Sequence, residues 1–476
     1  MTLWNKGAVN EKINEASNST TIDNSFIMQL KGTYKEIWTI SYPIILGSLA
    51  HSINQLIDTA FLGHSSKTAL EAITLAGIYY FVFVFIAGGL ARGCQVIIAR
   101  HSGENKPEKI GIAFDHLIVL ASVLSVFLMF FFGFATKYVL ALVVKSTAIQ
   151  DAAMNYISMM NYAVFPVVLG FCFNGFYTGI GKTKIITIAT VCMAITNIIA
   201  GYIFIFGKFG FPPLGIKGAG IATAIADTVL FLVYILHFLY YKQPEKYHAF
   251  TFKFIRLKQI WSIIKLSAPI VLQNLIGIGS WWYFFLSVEK IGEHELAVSG
   301  ILKSLFVFIG IPVWSLASTS NTVISNIIGQ NRINDVVPAL KKVLTVSVGI
   351  SLSINLIIVL FPYQVLSVFT DDVQLIQDCI APFYTLMIAL LFFSSGMIMN
   401  FGITGTGATF VPTVVEVFCC LFYVIYCYYF VQIKKSPLYI AWGCEVVYWL
   451  SLLTFTTAYW TSGIWRKYIK NVDATK

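Results

Sequence analysis

The chain has 476 residues, of which 57% are hydrophobic and 11% charged, with a mean hydropathy of +0.77. That composition excludes an ordinary soluble domain, in which about a quarter of residues carry charge. The net charge of +10 does not indicate nucleic acid, because the basic residues gather in alternate loops rather than on one patch. The eight cysteines fall mostly within apolar segments and form no CxxC pair, so neither a disulfide framework nor a metal site is expected.

Residues 1–36 are polar and contain no apolar run suited to a signal peptide. They read as a cytoplasmic tail that ends in a short amphipathic lead-in. Crossing a bilayer core of about 30 Å takes about 20 apolar residues in a helix. Twelve segments meet that length: 37–62, 72–98, 111–135, 152–180, 185–207, 217–241, 262–288, 296–325, 339–361, 376–403, 410–432 and 438–461. Pro166, Pro269, Pro312 and Pro382 lie inside such segments, where neighbouring helices and water satisfy the freed backbone groups. With the N-terminus inside, 22 Lys and Arg fall in inner segments and 8 in outer ones. This places both termini on the cytoplasmic side of a multi-pass membrane protein, expected in the cell (inner) membrane.

The first span, Ser41 to Gly63, carries Asp58 with no basic residue inside it. A charged side chain at the bilayer centre costs roughly 2.5–3.5 kcal/mol on insertion scales, so such a residue faces a watery cavity or a partner. Gly47, His51, Asn54 and Asp58 recur at helical spacing on one face. The bland alternative is that Asp58 snorkels at the helix end.

A shift of 226 positions aligns the two halves without a gap over their first four spans. Ser41 and Pro43 fall on Ser267 and Pro269, Gly103 and Asn105 on Gly329 and Asn331, and Asn174, Gly179 and Gly181 on Asn400, Gly405 and Gly407. Each half has six spans, an even number, so both halves run the same way. The expected fold is an all-α integral membrane protein of 12 transmembrane helices. Two six-helix lobes are related by a parallel pseudo-two-fold axis, a plan of secondary transporters. The tail is 1–36, the N-lobe 37–241, the cytoplasmic linker 242–261, the C-lobe 262–461 and the C-terminal tail 462–476.

The runs PIILGSLAHSINQLIDTAFLGH, GCQVIIARHSGENK, NGFYTGIGKTK and GIKGAGIATAIA, with KLSAPIVLQNL and GQNR in the second half, resemble the multidrug and toxic compound extrusion (MATE) family. The resemblance covers about residues 36–465 and is nearer the DinF-like prokaryotic branch than the NorM-like one. It implies a cation-coupled (H⁺ or Na⁺) antiporter, not an enzyme, that exports amphipathic or cationic organic compounds by alternating access. Its cation-coupling residues carry over as Asp58, Asn197 and Thr223. The second acid of that branch falls on Gly201, and Asp227, four residues after Thr223, is the available replacement. The positions of the NorM-like site hold Ile278 or Gly279 and Ser394, so coupling is expected in the first lobe alone. By family position His51, Asn54 and Asn174 line the substrate cavity.

Asp58, Asn197 and Thr223 together could bind Na⁺, a hard cation that takes oxygen ligands; a desolvated Asp58 could instead cycle a proton. No other cofactor is implied. The partners expected are small organic substrates and membrane lipid, not nucleic acid, and the chain is expected to be a monomer. Two rival functions stay open, a lipid-linked oligosaccharide flippase of the same superfamily and a membrane-embedded transferase. The outer loops are short for the latter, and no Walker, HExxH or GxSxG signature occurs. Among the remaining charges, Lys303 or Glu416, or both, should find an opposite-charge partner in the C-lobe, and Glu445 is ambiguous. Asp115 and His116 read as interfacial and Arg92 as snorkelling at the inner end of span 2. Trp281 to Phe285 could offer cation–π contacts, though lipid or lobe packing is the commoner use of such a run.

Overall fold

A computed structural model of the chain describes residues 28–65, 67–144, 146–252 and 255–474. Most of the tail therefore lies outside the described residues. The first half holds α1 (Tyr34–Ser65), α2 (Lys67–Gly103), α3 (Pro107–Val143), α4 (Thr147–Met160), α5 (Val164–Gly179), α6 (Lys184–Phe206) and α7 (Gly215–Tyr240). A short α8 (Gln243–Tyr247) leads into the second half. There follow α9 (Leu257–Glu289), α10 (Glu293–Gly329), α11 (Val336–Leu360), α12 (Pro362–Leu366), α13 (Val373–Gly405), α14 (Phe410–Tyr426), α15 (Leu438–Ala441), α16 (Gly443–Ser462) and α17 (Ile464–Ala474). Eleven spans among the described residues are long and apolar enough to cross a membrane. The twelfth is α1, 32 residues long, whose own polar stripe lowers its hydropathy.

Several boundaries differ from those expected. The fourth span breaks into α4 and α5 at a 3₁₀ turn, Asn161–Ala163, just ahead of Pro166. That proline has no N–H to continue the ladder, so the chain tightens and restarts. The eleventh span ends in a π-helical segment, Cys427–Ile433. The last turns of the expected linker belong to α9, which starts at Leu257.

The 226-residue repeat is visible in single hydrogen bonds. Thr187 Oγ1 donates to Pro43 O at 2.6 Å, tying α6 to α1. Its counterpart, Thr413 Oγ1, donates to Pro269 O at 2.8 Å, tying α14 to α9. Each lobe encloses its own apolar core, one around Phe114, Phe173 and Phe176 and the other around Phe284, Phe393 and Trp442.

The lobes meet at the face that bears both described chain ends. Gly103 of α2 abuts the Asn326 carbonyl, and Gly329 of α10, its repeat partner, abuts the Arg100 carbonyl. A side chain at either position would enter backbone, which explains the paired glycines. Around them Gln95 Nε2 donates to Thr322 Oγ1 at 2.8 Å, Asn326 Nδ2 to Ala99 O at 3.3 Å and Arg100 Nη2 to Thr406 O at 2.7 Å.

The end of the tail is part of this seal rather than a free lead-in. Leu30 is 1% exposed and shares a third core with Ile37, Ile40, Ile324, Ile327 and Trp465. Its N–H reaches Asn326 Oδ1 at 2.9 Å, and its carbonyl accepts from Gln330 Nε2 and Arg332 Nη1. The Met28 carbonyl accepts from both lobes, from Ser102 Oγ at 3.3 Å and Asn326 Nδ2 at 2.9 Å.

Gly103→Ala should destabilise the fold by about 1–3 kcal/mol through overpacking against the Asn326 carbonyl. Gly349→Ala is the control, because nothing lies within 4 Å of the added methyl. Thermal unfolding of the two variants in detergent compares them, and equal midpoints would contradict the close approach.

Candidate functional site

The polar stripe of α1 faces α6 in the N-lobe, and there the sequence places Asn197 at the level of Asp58. Asn197 is completely buried and Asn54 is 5% exposed. Asn197 Nδ2 donates to Asp58 Oδ1 at 2.5 Å and to Asn54 Oδ1 at 3.1 Å. Both amide hydrogens are thereby used. Asn197 Oδ1 is buried without a hydrogen-bond partner. A buried carbonyl oxygen left unpaired costs about 1–3 kcal/mol, so it marks a place where another group belongs.

Asp227 of α7 lies within electrostatic reach of Asp58. Tyr156 of α4 interacts with Asp58, Thr223 and Asp227, and the buried hydroxyl of Tyr80, which has no partner, lies in the field of Asp227. Thr223 Oγ1 donates to Ala219 O of its own helix at 3.0 Å, leaving its lone pairs available. The structure thus gathers Asp58, Asn197, Thr223 and Asp227, with Asn54, Tyr156 and Tyr80 around them. The two tyrosines, on α2 and α4, were not singled out in the sequence. Nothing in their local pattern separates them from ordinary aromatic packing.

Gly201 has a reason of its own. A Cβ there would meet the Phe61 ring at 3.3 Å, so the aromatic side chain fills the space into which an acid at 201 would project. Phe61 also packs edge-on against Phe206 at 5.5 Å between centroids.

His51 and Asn174, expected to line a substrate cavity, lie apart from this cluster. His51 is exposed, with Gln55 Nε2 at 3.4 Å from its Nε2. Asn174 lies between α5 and α7 and donates to Tyr234 Oη at 3.5 Å. Neither touches Asp58.

Among the described residues of the C-lobe, neither Lys303 nor Glu416 forms the expected ion pair. Lys303 is exposed and sits over the Phe285 ring at 5.5 Å. Glu416, 4% exposed, is served by neutral donors: Tyr448 Oη at 2.6 Å, Gln273 Nε2 at 3.4 Å and Cys420 Sγ at 3.5 Å. Glu445 accepts from Trp281 Nε1, Trp449 Nε1 and Tyr423 Oη at 2.9–3.1 Å. Lys303 points out of the lobe core, so hydroxyl and indole groups replace the missing cation. Trp281 is therefore a donor to a carboxylate as well as a packing residue.

Asp115 and His116 are more than interfacial. Asp115 accepts the backbone N–H groups of Phe250, Thr251 and Phe252 at 2.6–3.2 Å. His116 Nε2 accepts the N–H of Arg256 at 3.0 Å, which leaves Nδ1 to donate to Ile112 O at 2.6 Å. Together they clip the segment joining the lobes onto the start of α3. Long-range backbone capping of this kind has no local sequence signal.

Comparison with known proteins agrees with this architecture. The MatE family profile matches residues 43–203 and again 269–429, two stretches separated by the same 226 positions as the internal repeat. The probable multidrug resistance protein YoeA of Bacillus subtilis is 21% identical over 79% of this chain and 82% of its own length. The probable multidrug resistance protein NorM of Thermotoga maritima is 23% identical over 80% of this chain and 82% of its own. An outward-facing multidrug resistance MATE family transporter of the MOP superfamily superposes with a TM-score of 0.83. It is 22% identical, and the match covers 92% of this chain and 96% of that one.

Asp115→Ala should free the linker, since the carboxylate satisfies three backbone donors at once. Limited proteolysis of the folded protein should then cut between residues 249 and 256 about tenfold faster or more. An unchanged rate would show that the clip is not what holds the segment.

Proposed function

This chain belongs to the MatE family, and from that premise we propose that it is a cation-coupled exporter of amphipathic organic compounds with its coupling group at Asp58. The observation that carries the proposal is Asn197, fully buried, donating to the Asp58 carboxylate while its own Oδ1 has no partner. An ionised Asp58 accepts one of the amide hydrogens of Asn197. A protonated Asp58, or a Na⁺ beside it, needs an acceptor instead, and Asn197 Oδ1 is the free oxygen at hand. One side chain thus answers both charge states of the site. Asp227, within reach of Asp58, stands in for the acid absent at Gly201.

Coupling requires that cation and substrate favour different arrangements of the two lobes. The inter-lobe hydrogen bonds described above all lie at the face bearing the chain ends. The positive-inside distribution makes that face cytoplasmic, and the lobes then part toward the outside. In this arrangement a substrate leaves outward, and cation binding at Asp58 favours its release. Rearrangement of α1 against α6 is the step by which a change at Asp58 reaches the lobe interface, because the terminal-face end of α1 packs onto the C-lobe.

Asp58→Asn should abolish dye efflux from everted vesicles while expression is unchanged, and wild-type efflux would sink the assignment. Imposed Na⁺ and pH gradients in proteoliposomes identify the coupling ion. Asp227→Asn should weaken coupling. An added acid at 201 meets the Phe61 ring, so rescue should need Gly201→Asp together with Phe61→Ala. Full activity of Asp227→Asn alone would refute the replacement.

A further inference from the structure

Within the stretch 87–96 of α2 every residue is buried except Arg92. This stretch faces the C-lobe: Gly89 abuts Val271, Gly93 abuts Ser267 and Gln95 bonds Ser318 and Thr322. Arg92 lies among these contacts, with its guanidinium 5.7 Å from the centroid of Phe401 on α13. It therefore crosses the lobe boundary rather than snorkelling along its own helix.

Its hydrogen-bonding account does not close. A guanidinium carries five N–H donors and accepts nothing. Among the described residues no hydrogen bond or ion pair is made by Arg92, and the Phe401 ring is its single polar-type contact. Four of the acidic groups discussed above are met by donors other than Arg92: Asp58 by one, Asp115 by three backbone amides, Glu416 and Glu445 by three each. The repeat does not balance Arg92 either, because its counterpart 226 positions on is Ser318. One positive charge is left between the lobes near the pseudo-two-fold axis, partly exposed in an otherwise sealed run. A cation at membrane depth is costly and marks a functional site when its natural partner is missing.

We propose that Arg92, backed by Phe401, is the binding group for an acidic moiety (a carboxylate, sulfonate or phosphate) on the transported molecule, so that the substrates are organic anions or zwitterions. The Phe401 ring lies within cation–π range of the guanidinium, and none of the guanidinium N–H groups is taken by the described residues, so they are available to grip a planar oxyanion in bidentate fashion. Below Arg92 the Gln95, Asn326 and Arg100 contacts close the path to the terminal face, so the group is reached from the space between the lobes. The inference rests on the transporter reading above and refines its substrate class: purely cationic compounds are disfavoured at this position.

The test is equilibrium binding to the purified full-length protein in lipid-free detergent, using a xanthene dye with a free carboxylate and its ethyl ester. Wild type should bind the carboxylate form at least about tenfold tighter than the ester. Arg92→Gln should lose that preference and keep its ester affinity, which also shows that the variant is folded, while Arg92→Lys should keep part of the preference. Equal affinities in wild type, absence of binding by both dyes, or an undiminished preference in Arg92→Gln overturns the proposal. Displacement of the carboxylate dye by phosphatidylglycerol in wild type but not in Arg92→Gln would assign the acidic group to lipid and overturn the substrate assignment. Because binding is read without a gradient, it is independent of coupling at Asp58. Efflux lost in Asp58→Asn with dye selectivity intact supports both readings, and normal efflux in that variant removes only the coupling assignment.

Discussion

The hydrogen bond from Asn197 to Asp58 states the constraint on which the rest of the protein depends. Inside a bilayer no water stands by to receive a charge, so each carboxylate must be met by a donor placed for it. Asn197 meets Asp58 because α6 packs along α1, and that packing is fixed lower down by Thr187 on the Pro43 carbonyl. The same constraint shapes the C-lobe with different chemistry. There two glutamates are met by indoles, phenols and an amide, all neutral. The two lobes share a backbone plan and a register of 226, yet each solves its own buried-charge problem.

A second constraint acts on the backbone. The lobes approach so closely that a methyl group would collide, hence Gly103 against Asn326 and Gly329 against Arg100, related by the repeat. The seal is built from α1 and α2 against α9 and α10 and completed by the segment around Leu30. A polar seal suits a protein whose lobes must part. Its hydrogen bonds are strong enough to hold one arrangement and few enough to be exchanged for another.

The fold was highly legible in the sequence because the bilayer makes length and hydropathy decisive. The repeat was legible because glycines and asparagines at loop edges recur at one fixed offset, which chance matches between apolar runs do not produce. The candidate site was legible in part. The structure places Asn197 against Asp58 and Asp227 within electrostatic reach of it, and a side chain at Gly201 would meet the Phe61 ring. Other residues gave no such warning. Lys303 and Glu416 were each expected to find an opposite charge, yet Lys303 is exposed beside Phe285 and Glu416 is buried among neutral donors. Asp115 caps amides 135 or more residues away, and Tyr80 and Tyr156 reach the site from helices with no pattern to single them out.

By itself the sequence determined a twelve-span membrane protein with two parallel halves, a carboxylate in the first span and a basic linker between the halves. These follow from composition, spacing and the cost of burying charge, which act locally along the chain. Only the tertiary structure decided which polar groups meet. Whether Arg92 snorkels or stands between the lobes over Phe401 depends on how far apart the two bundles sit and how each helix is turned. Those are properties of packing between residues hundreds of positions apart, and no local rule carries them.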